Sequence, residues 1–477
     1  MKQLYIFTFC VCSFFANAQV TQVLDINDGS SNSNPAGMIV FNGNFYFAAD
    51  DGSGVNSGGI DYGKELWVSD GTAANTDFII DIRMGTASGT PTAFFVYNGA
   101  LYFSAFDGTS SDLWTSDGTA MGTTKVDLFP GVNEAVQRPI ELGGVVYMTG
   151  ISSPGDTNDL IVFDGSTGAN VPNADPDVNA DENILNTMAA LNGKLYMYMS
   201  YASDDATTGS ELYEYDPATD LFSLIKDIDV GAGDSSISWL TTLGTKIYFE
   251  AENELWETDG TNAGTQQVAV ATSIGNPLNL YAWNGKLFFE GDDGTGDQLW
   301  VYDPVADTVT NLSNISGGSN TNHDPADFVE YNGFLYYRGE DTNDTQGHLF
   351  RTNGTVVEQL DSTIKDVDDL VVYNNRIYFE GDDDTTGNEL FTFDPATLSV
   401  GSVENNTIAI YPNPSKNYIN VAGITETLSY TIHDLNGRTL QSGEMLNNTI
   451  EHRLAKGLYI LELKGENIST TKKIIVD

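Results

Sequence analysis

Residues 65–76 read ELWVSDGTAANT, and the phrase returns as DLWTSDGTAMGT at residues 112–123 and as ELWETDGTNAGT at residues 254–265. A catalytic motif is needed once, so this repetition points to architecture. Working outward from each copy exposes a longer unit, in which an apolar run broken by a tight turn precedes the phrase. FNGNFYF from Phe41, YNGALYF from Tyr97 and WNGKLFF from Trp283 are clear examples, and five variants start at Leu142, Leu191, Leu243, Tyr331 and Tyr373. Asn-Gly between apolar runs is a hairpin signal, because both turn residues adopt positive φ and these two tolerate it. An aromatic residue follows every turn at one offset (Tyr46, Tyr102, Tyr147, Tyr196, Tyr248, Phe288, Tyr336 and Tyr378), which predicts one packing position shared by all copies.

The phrase itself has strong and degenerate forms. Leu66-Trp67, Leu113-Trp114, Leu255-Trp256 and Leu299-Trp300 keep the tryptophan, whereas Leu160-Ile161, Leu212-Tyr213, Leu349-Phe350 and Leu390-Phe391 replace it. Each ends in Asp-Gly, Asn-Gly or Asp-Pro, which are turn formers. A further apolar run follows, clearest in FIIDI from Phe78 and LIKDI from Leu224. Each block of roughly 40–56 residues is therefore four short antiparallel strands. Blocks of that size and content predict an all-β chain folded as a β-propeller. Eight hairpins favour eight blades, and seven with one displaced block is the alternative. TQVLDI from Thr21 reads as a fourth strand without a block of its own and is expected to pair beside residues 389–393 and close the ring. LSVGSV from Leu398 competes for that slot. The repeat tryptophans are expected to be blade core, as are Trp239 and Trp283, for which a place facing the channel is the alternative.

The two ends differ from the middle. Residues 1–18 combine one lysine, an apolar run and Ala16-Asn17-Ala18, the pattern of a secretory signal peptide. Both cysteines, Cys10 and Cys12, lie within it, so the remaining chain is held without disulfides. From residue 404 the texture changes to alternating apolar residues such as Tyr459, Leu461 and Leu463, which read as a small Ig-like β-sandwich over residues 404–477. The propeller is assigned to residues 19–403. The chain carries 20 basic and 67 acidic residues, net charge -47, and the acidic excess falls in the propeller. Such a surface repels nucleic acid and anionic membranes and attracts cations. No segment after the leader suits insertion in a membrane.

The three best copies of the phrase resemble the ELWxxDGT repeat of secreted bacterial proteins, and the four-strand layout is similar to kelch-type propellers. That resemblance implies a fold and a secreted habit, with no catalytic residues to carry over. The tail resembles the type A C-terminal sorting domain of the type IX secretion system of Bacteroidetes. The matching residues are Tyr411-Pro412-Asn413-Pro414, the turn from Asp434 to Gly437, Gly457-Leu458-Tyr459 and the closing Lys472-Lys473-Ile474-Ile475-Val476. The resemblance implies handling by the type IX machinery and delivery to the outer cell surface or the medium.

Candidate chemistry rests on carboxylates. Loops between second and third strands carry Asp292, Asp293 and Asp297, then Asp382, Asp383 and Asp384, oxygen-rich groups suited to Ca²⁺. DPDVNADEN offers Asp175, Asp177, Asn179 and Asp181 at alternating places, although Ala180 stands where an EF-hand has glycine. The propeller has only two histidines, His323 and His348, and no nucleophile-elbow motif. His348 occupies the acidic slot of a degenerate phrase and reads as a surface residue at a strand end. The expectation is a non-enzymatic surface propeller that binds a glycan or protein with help from calcium. A carboxylate-based glycan hydrolase and a purely structural surface-layer protein are the alternatives.

Overall fold

The computed structural model describes residues 20–477 apart from 53–58, 155–157, 172–182, 201–206, 316–317, 399–408, 423–427, 435–437, 446–447 and 466–468. The chain divides into two compact units, Ala18–Pro395 and Ala396–Asp477, the first made of eight four-stranded antiparallel sheets. The first strands are Ala36–Phe41, Thr92–Tyr97, Gln137–Leu142, Asn183–Leu191, Ser238–Leu243, Gly275–Trp283, Ala326–Tyr331 and Lys365–Tyr373. Each contacts the first strand of the next sheet, and the last contacts the first, so the sheets form a closed ring of eight blades.

Local sequence sets the blade. Asn42 and Gly43 turn the first hairpin with φ of 53° and 85°, and the same pattern recurs at Asn98-Gly99, Asn192-Gly193, Asn284-Gly285 and Asn332-Gly333. The phrase forms the third strand throughout, as in Lys64–Ser69 and Glu254–Thr258. Its Asp-Gly-Thr makes the second turn: Asp70 Oδ1 accepts from Thr72 N at 2.9 Å and from Thr72 Oγ1 at 2.7 Å. The closing threonine is bonded too, with Thr76 Oγ1 2.7 Å from Ser69 Oγ, repeated at Ser116–Thr123 and Thr258–Thr265.

Packing explains why leucine and tryptophan stand side by side. Successive strand residues face opposite ways. Leu66 packs with Leu101 and Phe103 of the following blade, while Trp67 packs with Val371 and Tyr373 of the preceding one. Leu255 likewise packs with Leu287 and Phe289 of blade six. All eight phrase leucines are buried, and Trp67 and Trp300 are buried, whereas Trp114 and Trp256 are half-buried against the preceding blade. The eight aromatics after the first turn are all buried as well. They meet the second turn of the next blade, where a Cβ added to Gly118 would run into the Tyr46 hydroxyl, and one added to Gly71 or Gly260 into that of Tyr378 or Tyr196.

The acidic residue that opens the phrase anchors the loop to the next blade. Glu65, fully buried, accepts from the backbone N of Ile82, Arg83 and Gly89 at 3.1, 3.3 and 2.7 Å. Glu389 of blade eight does the same for the start of the chain, accepting from Ile26 N at 2.7 Å, Asn27 N at 3.2 Å and Ser33 Oγ at 2.7 Å. Val20–Leu24 is the fourth strand of that blade, with Thr21 opposite Thr392. The expected closure by the segment from Thr21 is therefore found, and the count is eight rather than seven. Leu398 ends a 3-10 turn, Pro395–Leu398, and the rest of its segment up to residue 403 lies outside the described residues.

The second unit is a β-sandwich. One sheet contains Ala409–Tyr411, Tyr418–Ala422 and Thr449–Glu451, and the other Thr439–Glu444, Ser429–His433, Gly457–Lys464 and Ser469–Val476. Ile419, Ile432, Ile450, Leu461, Leu463 and Ile474 form its core.

The blade junctions give a direct prediction. Gly131 has φ of 85° with open space around its Cβ position, so Gly131→Ala should cost about 1–2 kcal/mol in backbone strain alone. Gly118→Ala adds overpacking against Tyr46, a further cost of about 1–3 kcal/mol, part of which Tyr46→Phe should recover. Denaturation midpoints of the three variants check the order.

Candidate functional site at the inner rim

Antiparallel order places the loops between second and third strands, and the loops entering the next blade, at one end of every blade. The first strands begin at that end and form the inner ring. Each of the eight carries a β-bulge at the same place, for example between Ala36 and Ile39 and between Ser238 and Thr241. In seven blades, among the described residues, the residue inside the bulge is left-handed: Gly37, Ala93, Arg138, Trp239, Asn279, Asp327 and Asp369, with φ between 51° and 68°. Glycine, asparagine and aspartate tolerate that region, whereas alanine, arginine and tryptophan there are strained by about 1–3 kcal/mol each. The backbone is thus held constant while the side chain varies from blade to blade.

These side chains define a polar, asymmetric rim. Trp239 is 45% exposed, which corrects its expected place in the core, while Trp283 is buried as expected. Arg138 Nη1 donates to Thr149 Oγ1 at 3.0 Å, and Asn279 Nδ2 donates to Glu290 Oε2 at 2.9 Å. Two residues beyond the repeat aromatic, the second strands of blades one to three place Ala48, Ser104 and Thr149, and those of blades five to eight place Glu250, Glu290, Arg338 and Glu380. Burial pushes Glu290 up to about 7, with Asp324 and Asp297 adding repulsion, and burial pushes Glu380 to the same value beside Asp368 and Asp369. Asp327 is raised by burial and by sharing a hydrogen bond with Asp368.

The acidic loops have divided roles. Asp297 joins Glu290 and Asp324, with one oxygen of each within 4.8 Å of the others, an all-oxygen set that fits Ca²⁺. Asp292 and Asp293 are instead engaged in their own turn, Asp292 Oδ1 accepting from Gly294 N and Gly296 N at 2.7 and 2.9 Å, and Asp293 Oδ1 from Thr295 Oγ1 at 2.6 Å. Asp382 Oδ1 accepts from Asp384 N, Asp383 Oδ1 caps Thr385 and Thr386, and Asp384 pairs with Lys365 at 2.7 Å. Asp175, Asp177, Asn179 and Asp181 lie outside the described residues. His348 is not a surface residue but fully buried, because the slot it fills is turned into the loop entering blade eight.

In the tail the geometry unites distant motif residues. Asn413 accepts from Ile475 N at 2.8 Å and donates to Lys473 O at 3.0 Å. Ser415 N donates to Ile475 O, and Ser415 Oγ lies 2.9 Å from His452 Nε2. Tyr411, Pro412 and Pro414 are exposed, as are Lys472 and Lys473, and Gly457 pairs with Val476 while Tyr459 packs against the sandwich core. Residues 409–477 match the family described as the secretion system C-terminal sorting domain. The tail is a type IX sorting domain. A chain with this sorting domain is exported to the outer cell surface or the medium.

No curated protein matches the chain. Among solved structures it is similar to PorZ, a surface component of the type IX secretion system of Porphyromonas gingivalis, at 14% identity and TM-score 0.42, over 91% of this chain and 64% of PorZ. It is similar to puromycin hydrolase at 11% identity and TM-score 0.46, over 77% of this chain and 60% of the hydrolase. The propeller domain of the trilobed protease from Pyrococcus furiosus matches at 11% identity and TM-score 0.42, over 70% of this chain and 99% of that domain. The chain thus spans less than two thirds of PorZ and of the hydrolase. These neighbours correct the expectation that the chain is non-enzymatic.

A carboxyl whose pKa rises on folding takes up a proton as the chain folds, so its contribution is complete below its ordinary value and fades as pH climbs through the folded one. Glu65, Glu211, Glu290 and Glu380 are raised from 4.5 to about 7 and Glu389 to about 8, each mainly by burial. Turn aspartates such as Asp70 and Asp117 are lowered by their hydrogen bonds and lose their contribution only in stronger acid. Thermal stability should therefore be highest near about pH 5 and decline toward about pH 8. Scanning calorimetry across that range checks the sign.

Proposed function

We propose that the exported propeller is a binding module of the cell surface, taking a glycan or protein ligand at the inner rim of its loop face with calcium at Glu290, Asp297 and Asp324. The observation that carries this reading is the ring of left-handed positions. A conformation repeated in seven blades, among the described residues, at a position filled by glycine, alanine, arginine, tryptophan, asparagine and twice by aspartate, supports recognition better than it supports packing. Exposed Trp239 supplies an apolar face for a sugar ring or an apolar side chain, and Arg138, Asn279 and Asp369 supply directional polar contacts. The reading includes a leader over residues 1–18 and delivery by the tail to the type IX machinery.

A second reading has its own support. Asp327 is raised mainly by burial and further by Asp368, and a raised carboxyl is what a carboxylate hydrolase uses as its general acid. Turnover of a glycan, abolished by Asp327→Asn, would favour that reading over binding alone.

A glycan array probed with the purified protein, in calcium and again in chelator, tests the proposal. Selective binding should appear in calcium, fade in chelator and weaken about tenfold or more in Trp239→Ala, in line with about 1–3 kcal/mol for a stacked aromatic. Binding that ignores both changes would place the ligand elsewhere.

A further inference from the structure

Blade seven departs from its neighbours at the first position of the phrase, where His348 stands in the slot held by Glu65, Glu211 and Glu389. Those glutamates accept backbone N–H groups from the loop entering the next blade. His348 is fully buried and meets a carbonyl instead, with Nδ1 2.7 Å from Ile364 O. A carbonyl oxygen can only accept, so Nδ1 carries a ring proton. Nε2 is turned to Asp344 Oδ1 at 3.2 Å. Asp341 completes the group, with one ligand atom from each of the three residues within 4.8 Å of the others.

Nε2 and the two carboxylates converge on one point, where a cation would be held by all three. The ammonium of Lys365 is held by Asp384, at 2.9 and 2.7 Å from its two oxygens. We propose that His348, Asp344 and Asp341 bind a divalent first-row transition-metal ion, with Zn²⁺ the best suited. A histidine ligand is ordinarily fixed by a hydrogen bond from its other ring nitrogen, often to a backbone carbonyl, and Ile364 supplies it here. The carboxylates are also held in place: Asp341 Oδ1 accepts from Asn343 N at 2.7 Å, and Asp344 Oδ1 from Gln346 N at 3.1 Å. One imidazole with two carboxylates suits zinc rather than calcium, which takes oxygen shells. The Asp344 side chain is 41% exposed, giving the ion a way in from solvent. Three protein ligands leave a coordination position for water or an incoming donor. This site is separate from the all-oxygen group between blades six and seven.

The test is a Zn²⁺ titration of the full chain by calorimetry, after chelator stripping, with excess Ca²⁺ present throughout. Two variants localise the ion. Asp344→Asn alters a partly exposed ligand, and His348→Gln copies blade six, where Gln298 fills the same slot and donates to Thr321 O at 2.7 Å. The wild type should take up one zinc ion that excess calcium does not displace, and each variant should weaken that binding about tenfold or more. The variants should melt like the wild type in chelator, and if His348→Gln does not, Asp344→Asn decides alone. No zinc uptake, or uptake that Asp344→Asn leaves unchanged, would reduce the group to a His–Asp ion pair and overturn the assignment.

Discussion

Everything in the propeller depends on the apolar seam between neighbouring blades. A four-stranded sheet has two faces to bury, and the phrase serves both, sending leucine forward and the aromatic residue back. The tyrosine after the first turn reaches the next blade and rests where its glycine has no side chain. No blade can satisfy these contacts alone, so the chain must return to its start. It does so twice over, through pairing of Val20–Leu24 with Asn388–Phe393 and through the grip of Glu389 on residues 26–33. Phe45 and Phe47 of blade one share a core with Leu390 of blade eight, so the junction made by the chain ends is packed like that between blades one and two.

The large acidic excess is sorted by environment into three physical roles. Buried glutamates at the head of the phrase hold loops, at the cost of desolvation that lifts their pKa. Exposed turn aspartates accept several short hydrogen bonds, which hold Asp70 and Asp259 below the ordinary range. The inner-rim carboxylates of blades six to eight crowd one another, so that repulsion from Asp324 and Asp297 at Glu290, and from Asp368 and Asp369 at Glu380, adds to the effect of burial. Sequence-level charge thus overstates how much of the acid is free to bind anything.

Features carried by local chemistry were legible in the sequence. Asn-Gly turns, the Leu-aromatic alternation and the closing strand from Thr21 all follow from residues whose conformational preferences act over a few positions. The bulge ring was not legible, because Gly37, Ala93, Arg138, Trp239 and Asp327 share a backbone geometry and no side-chain property. Trp239 read as core for the same reason. His348 was misread because its slot is buried by a loop more than ten residues away, a tertiary fact. The acidic triplet at Asp382 read as ion ligands, whereas Asp382 Oδ1 and Asp383 Oδ1 accept from their own turn and Asp384 pairs with Lys365.

Ring closure by the start of the chain is the claim on which the rest stands, and both cysteines of the sequence fall within residues 1–18. A Thr21→Cys/Thr392→Cys pair on residues 19–477 therefore joins two directly opposed residues in a background free of thiols. Counting free thiols by mass spectrometry after mild oxidation of dilute protein should find none, with the chain still monomeric. Two free thiols in a folded monomer, or bonds formed only between chains, would contradict the closure and with it the eight-bladed ring.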